Sequence, residues 1–331
     1  MKSRILRWVV VCLFVCSCNN SARRNQVLQI SARQNDQVVY SFDGGKTVSR
    51  LFVCGENILA FTLQEPFFSL ISIGERRVLS SFGRKGRAGG ELIGMPSGVN
   101  LRKGVLQYYD SATKSLVYIS IPDGVVDALP VPYTVSFRPL KMVEIDGNRI
   151  ATGSFDEGSV AYIDPDQRIT PGEEYPFDTG LLSGIMRGAQ IQSDIVSAPD
   201  NPRFLIRTLA SDCFELYEVN DDGINRVFVN DFKHPPIIEK NRANPGSNKA
   251  GYIRSFVDND YVYLMFSDKY YRDASSEGLL SDIIHVYNWD GFLQQVIHLP
   301  ESVGAFCVKG TQLFGTIDYP DHTEIVEYSI E

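Results

Sequence analysis

The sequence predicts an all-β chain, folded as a six-bladed β-propeller of four-stranded antiparallel blades whose ring is closed by an N-terminal strand. Three observations lead there. Windows with apolar residues at i, i+3, i+4 and i+7 are scarce, whereas short β-branched and aromatic runs bounded by Gly, Asn, Asp and Pro recur along the chain. Hairpin-like pairs of such runs repeat six times at a nearly constant spacing. The last repeat stops one strand short, while the start of the chain holds unpaired apolar segments that fit the gap.

Six segments define the repeat: NILAFTL, GVLQYYD, NRIATGS, RFLIRTL, YVYLMFS and QLFGTID. Counted from Ile58, Val105, Ile150, Phe204, Val262 and Leu313, the steps are 47, 45, 54, 58 and 51 residues. Each segment follows a turn-type cluster, such as Asp146-Gly147-Asn148, and another apolar run lies before that turn, which makes a hairpin. A third strand comes after each, from FFSLISI to EIVEYSI. Turns at Gly74-Glu75, Asp123-Gly124, Asp164-Pro165-Asp166, Asp222-Gly223 and Asp290-Gly291 lead five repeats into a fourth strand. The sixth ends at Glu331 and needs a strand from elsewhere, for which QVLQI at 26–30 and QVVYSF at 37–42 are both free to pair with Glu324–Ile330. Two β-sandwiches would not produce six hairpins at one period.

Residues 1–17 read as a lipoprotein signal peptide. Lys2, Arg4 and Arg7 precede an apolar run from Trp8 to Val15, too short to span a bilayer as a helix. The run ends in Val15-Cys16-Ser17-Cys18, which resembles the site at which bacterial signal peptidases leave an N-terminal lipid-modified cysteine, so Cys18 is the expected lipidation site. Residues 18–25 are then a lipidated tether and 26–331 the propeller. Multiple acyl chains would hold such a domain on a membrane, at about 0.8 kcal/mol per buried methylene. Asn19 is unlike an inner-membrane retention signal and no acidic run follows, so an outer-membrane lipoprotein of the cell envelope, facing the periplasm, is expected.

A hydrophobic content of 44% with 11% aromatics supplies a large core for one all-β domain. A net charge of −8 disfavours a nucleic-acid partner. Beyond Cys18 the mature chain holds Cys54, Cys213 and Cys307, an odd number in apolar strand contexts, which reads as buried thiols. No CxxC or Cys/His pair has metal spacing, so neither a metal nor another cofactor is expected.

The stretch SSFGRKGRAGGEL, residues 80–92, is glycine-rich and basic, but Gly86 is followed by Arg87-Ala88 with no helix pattern after it, unlike a Walker-type phosphate loop. It falls between the last strand of blade 1 and the first of blade 2. Glycine there permits positive φ and close backbone approach where the chain crosses a blade end. The stretch resembles the FGxxGxGPGE signature of six-bladed TolB-like propeller lipoproteins common in Bacteroidetes. Phe82, Gly83, Gly86, Gly90 and Glu91 match, while Ala88 and Gly89 stand where that family commonly has Gly and Pro. The resemblance extends in weaker form over the mature chain, through the hairpins, the lipobox and phrases such as YIRSFVDNDYVYLMF. It implies architecture and cellular address more than chemistry.

Candidate ligand-binding residues are of two kinds. Arg84, Lys85 and Arg87 are placed to line one face of the ring near the central channel and meet an anionic group; the alternative is a solvated basic loop with Glu91 as an internal salt-bridge partner. Tyr270, Tyr271 and Arg272 lie in the polar insertion 267–281, where they could stack on a sugar or peptide. A second long connection, 231–251, is another candidate wall or lid. The four histidines share no ligand spacing, and His285 and His298 read as cross-strand packing around the Asp290-Gly291 turn. The remaining tyrosines, among them Tyr108, Tyr217 and Tyr263, read as blade-to-blade packing. With no GxSxG or HExxH pattern, the expected role is a binding or scaffold module for a protein, peptide or glycan. The alternative is a carbohydrate or peptide lyase or hydrolase working in the central funnel, with its catalytic residues unidentified.

Overall fold

The computed structural model describes residues 27–330, apart from 89, 90, 122, 125, 240, 241 and 278. Cys18, the expected signal segment 1–17 and the whole of the expected tether 18–25 lie outside the described residues. Six antiparallel blades occupy 48–82, 100–130, 137–171, 193–229, 249–303 and, for the sixth, 306–329 together with 33–43. Their hairpin turns are the expected ones. Asp146 and Gly147 take φ values of 50° and 85° between the paired Ile145 and Asn148, the left-handed geometry that a two-residue hairpin turn requires.

Both ends of the chain build blade 6. The strand Arg33–Asp43, which contains QVVYSF, runs antiparallel to His322–Ser329 and supplies the missing fourth strand. The other free segment does something else: Leu28–Ser31 lies parallel to Leu293–Val303 and adds a fifth strand to the rim of blade 5.

Blade packing explains the apolar pattern. Second strands such as Asn57–Thr62 and Arg203–Thr208 are buried on both faces and read as continuous runs, because each is covered by the neighbouring blades. The fourth strand of blade 1, Arg77–Phe82, alternates between exposed and half-buried because it forms the rim. The core is divided into six clusters among the described residues, one in each gap between adjacent blades. Tyr108, Tyr109, Tyr217 and Tyr263 sit in four of them. Cys213 and Cys307 are buried and Cys54 half-buried; burial pushes all three thiols up, which makes them poor nucleophiles.

Both long connections carry regular structure rather than open loop. Strand Tyr261–Tyr270 extends through the first half of the 267–281 insertion and runs into helix Tyr271–Ser276. The 231–251 connection holds a short hairpin, Ile238–Glu239 with Arg242–Ala243, and a 3-10 turn, Pro245–Ser247. A third connection, 172–192, carries a helix, Ile185–Gln190, that the sequence pattern did not signal. It lies against blade 3 so closely that a Cβ on Gly188 would stand 1.8 Å from the Gly153 carbonyl oxygen.

Candidate functional site: a cationic well on the axis

At one end of the axis the inner strands surround a cavity of about 300 Å³. Leu63 and Ala210, from links between second and third strands, and Met95 and Gly98, from the connector between blades 1 and 2, belong to its wall. The cavity therefore opens on the end opposite the first hairpin turns. Below it the axis is closed. Asn100 of blade 2 donates to the Ile195 carbonyl at 3.2 Å and accepts from the Ser197 N–H at 3.1 Å, both on blade 4. Two residues further on, Arg102 donates to the carbonyls of Ala198 and Asn201, each at 2.7 Å. The cavity is thus a blind well.

Among the described residues five charged side chains belong to the wall, and four are cationic: Arg50 of blade 1, Lys141 of blade 3, Arg207 of blade 4 and Arg254 of blade 5, against Asp194 of blade 4. Local geometry aims them. The pairing register of the inner strands shifts between Val48 and Arg50, between Pro139 and Lys141, and between Tyr252 and Arg254, so three of the four cations directly follow a β-bulge. A bulge inserts a residue and re-aims the side chains beside it. Arg207 stands directly opposite Asp194 in its own ladder.

Asp194 gathers three of the cations. The Arg50 guanidinium donates to it from the opposite side of the ring, Lys141 Nζ lies 3.2 Å away and Arg207 Nη2 3.4 Å away. Burial alone would raise this carboxyl, but the charges of Arg50, Lys141 and Arg207 outweigh that and hold it well below the usual carboxylate range. Burial pushes the Lys141 ammonium down; Asp194 opposes that while Arg50 and Arg207 add to it. Arg254 donates to the backbone carbonyls of Gly304 at 3.1 Å and Ile253 at 3.2 Å and has no carboxylate partner among the described residues. Burial, then repulsion from Arg207 and Arg50, lowers it to about 10. Arg207 also donates to the Tyr252 carbonyl at 2.5 Å, yet its buried Nε has no partner, and neither do the buried hydroxyls of Ser197 and Ser255 in the same wall.

The candidates from sequence divide around this well. Tyr271 and Leu279 of the insertion line it. Tyr270 is exposed beside it, with Lys249 Nζ 4.7 Å from its ring centre, and Arg272 is exposed against Asp273 at 3.2 Å. Arg84, Lys85 and Arg87 are exposed on the connector that leads to Met95 and stand outside the wall. Their loop uses its amides on itself: Gly86 N–H donates to the Leu92 carbonyl at 2.9 Å, Leu92 N–H to that of Arg84 at 2.8 Å, and Ala88 N–H to the Glu91 carboxylate at 2.9 Å. Glu91 thus braces the backbone instead of pairing with one of the three cations. Gly83 has φ 77°, and a Cβ there would stand 2.8 Å from Cδ2 of Phe68. Phe68 is fully buried and stacked between Phe61 and Phe82, so it has nowhere to move. Gly83→Ala is therefore expected to cost about 2 kcal/mol in urea unfolding; a loss below about 0.5 kcal/mol would show that the loop re-forms freely.

The four histidines lie away from the well. His285 and His298 are diagonal rather than directly opposed, since His298 pairs with Ile283 and His285 with Val296. His285 stacks on Phe266 and meets the Tyr252 hydroxyl at 3.1 Å; burial, with a smaller contribution from His298, lowers it to about 4. Among the described residues no group of three His, Cys, Asp or Glu is placed to hold a metal ion. The signal for the well was present in the sequence as charges inside mainly apolar strands, Arg50 in SRLFVC, Lys141 in PLKMVEI, Asp194 in SDIVS, Arg207 in RFLIRT and Arg254 in YIRSFV.

Solved structures share the architecture. A Bacteroides fragilis protein predicted to be exported aligns at 11% identity and TM-score 0.53, covering 92% of this chain and 100% of its own. Myxococcus xanthus glutaminyl cyclase aligns at 10% identity and TM-score 0.41 over 92% of this chain and 100% of its own, and Kuenenia stuttgartiensis hydrazine synthase at 10% and 0.48 over 90% and 98%. These likenesses concern the fold alone. No curated protein matches the sequence. The family model described as TolB-like 6-blade propeller-like matches residues 57–311, and with six blades, the connector glycines and the shared ends of blade 6 in view, the chain belongs to the TolB-like six-bladed propeller family.

Proposed function

We propose that the protein is a lipid-anchored binding module of the cell envelope, held on the outer membrane through Cys18 and facing the periplasm, that takes part of a protein, peptide or glycan into its axial well. The observation that carries this reading is the well itself: a blind cavity of about 300 Å³, the lower end of the range for small-molecule sites, walled by residues from all six blades. Its wall offers fixed charge and hydrogen-bond donors. Guanidinium groups stay protonated and suit recognition more than proton transfer. The export assigned to the similar Bacteroides fragilis protein supports the envelope address.

The tether suits such a role. Leu28 pairs with Gln295, which aligns through Val286 and Tyr263 with Phe256, beside the turn at the closed end of blade 5. The chain's first described strand therefore starts nearer the closed end than the mouth.

One observation favours the enzymatic alternative. Lys141 is held below the ordinary range for an amine in a concave site, which is how a lysine becomes a base near neutral pH. A single experiment separates the two readings. The protein is incubated with a panel of envelope glycans and peptides, hydrogen exchange is followed by mass spectrometry, and the panel is then analysed for new ends. Binding predicts protection at 95–98, 209–210 and 271–279 with the panel intact. Cleavage of a panel member would establish the enzyme instead, and protection confined to the rim or closed end would remove the well as the site.

A further inference from the structure

We infer that the group held in the well is an oxyanion, a carboxylate or sulfate carried by the ligand, seated among Arg50, Lys141, Arg207 and Arg254 above Asp194. This rests on the reading of the well as a ligand site and adds the chemistry of what enters it.

The argument begins from charge. The chain as a whole carries −8, yet the wall of the well holds four cations and one carboxylate, a local excess of three. One arginine is enough to neutralise a buried carboxylate, and Arg207, paired with Asp194 in the same ladder and 94% removed from solvent at its side chain, already serves. Arg50 and Lys141 are brought to the same carboxylate from blades 1 and 3, with side-chain exposures of only 17% and 18%. Arg254 arrives from blade 5 with only backbone carbonyls as acceptors among the described residues. Cations gathered in a poorly solvated site repel one another and destabilise the empty well, so the fold gains nothing from the surplus. An anion reverses the sign of that interaction.

Donors are left over as well. Among the described residues seven buried side-chain polar atoms lack a hydrogen-bond partner, and three of them belong to this wall: Arg207 Nε, Ser197 Oγ and Ser255 Oγ. Buried donors are nearly always satisfied, so three on one cavity mark a place where acceptor atoms are missing. Carboxylate and sulfate oxygens are acceptors only, and guanidinium groups bind them with paired, charge-assisted hydrogen bonds. The bulges before Arg50, Lys141 and Arg254 give a third, independent sign. Irregularities in three separate inner strands turn a cation toward one point, as expected of a built site.

The test uses the full-length protein at low, chloride-matched ionic strength, titrated with sodium sulfate, sodium D-glucuronate and uncharged D-glucose by calorimetry and thermal melting. Sulfate and glucuronate are expected to bind saturably and to raise the melting temperature by about 5 °C at a hundredfold excess over Kd, with no response to glucose. Lys141→Gln and Arg254→Gln are expected to weaken the anion at least tenfold while leaving the melting temperature without anion unchanged or higher, because each removes repulsion. Equal stabilisation of wild type and both variants would be a general salt effect and would overturn the inference. So would glucose binding as tightly as glucuronate, although that result keeps the well as a ligand site. No response to either anion also overturns it, and the exchange experiment above then decides whether the well binds anything.

Discussion

Replacing Asp194 with asparagine is expected to lower folding stability by about 4 kcal/mol, the scale of removing one partner from a buried ion pair. Asp194 is 5% exposed at its side chain and, among the described residues, is the single carboxylate paired with Arg50, Lys141 and Arg207. Without it, four cations converge on one cavity with no counter-charge, and asparagine keeps the shape while removing only the charge. Urea unfolding of the two proteins measures the effect, and a loss below about 1 kcal/mol would show that water or relaxation already screens the cluster. The pH dependence has a definite sign. A carboxyl held below its unfolded value contributes stability that is fully present above about pH 4, the ordinary aspartate range, and is lost as pH falls further. The wild type should therefore lose stability more steeply than Asp194→Asn on acidification below pH 4, and the two curves should converge. An oxyanion in the well should also rescue part of the asparagine variant, since it supplies the missing charge.

Removing the closing strand, residues 33–43, is expected to cost more than about 5 kcal/mol and to leave no cooperatively folded propeller under ordinary conditions. That strand pairs with His322–Ser329 and places Val39 and Phe42 in the cluster between blades 6 and 1, next to Val48, Leu51 and Ile325. Its loss would expose one edge of blade 6 and one side of blade 1 together, inviting edge-to-edge association. The point variant Phe42→Ala, at a residue 4% exposed, should cost about 3–4 kcal/mol while leaving the ladder in place. Calorimetry distinguishes the cases. Two-state melting near the wild-type temperature in the deleted protein would show that the ring does not depend on its N-terminal strand.

The architecture was legible because propellers repeat. Turn residues such as Asp146-Gly147 fix hairpins locally, and a common spacing in six of them leaves few folds to choose among. The missing strand after Glu324–Ile330 announced that the chain's two ends must meet, but QVLQI and QVVYSF are alike in composition, and only tertiary register assigns them to different blades. The well was hidden for a related reason. Arg50, Lys141, Asp194, Arg207 and Arg254 are scattered over four blades' worth of sequence, each lies in a mainly apolar run, and the bulges that aim three of them leave no mark in periodicity. Arg84, Lys85 and Arg87 stand out because charges and glycines are adjacent in sequence there, while the loop's amides are occupied within the loop itself. In the insertion, a polar segment with two tyrosines is conspicuous in the sequence and Tyr271 lines the cavity, whereas helix Tyr271–Ser276 that carries it leaves no such mark.

The fifth strand of blade 5 also has a mechanical meaning. Leu28–Ser31 holds to blade 5 by a four-residue parallel ladder, and Ala32 adds one bond from its N–H to the His298 carbonyl at 2.9 Å. Any tension transmitted from the N-terminus must peel this short segment before it reaches Arg33–Asp43, on which closure depends. A pull on the leash is thus taken up by a sacrificial stitch on the rim, and the seam that keeps the wheel shut is spared until that stitch has given way.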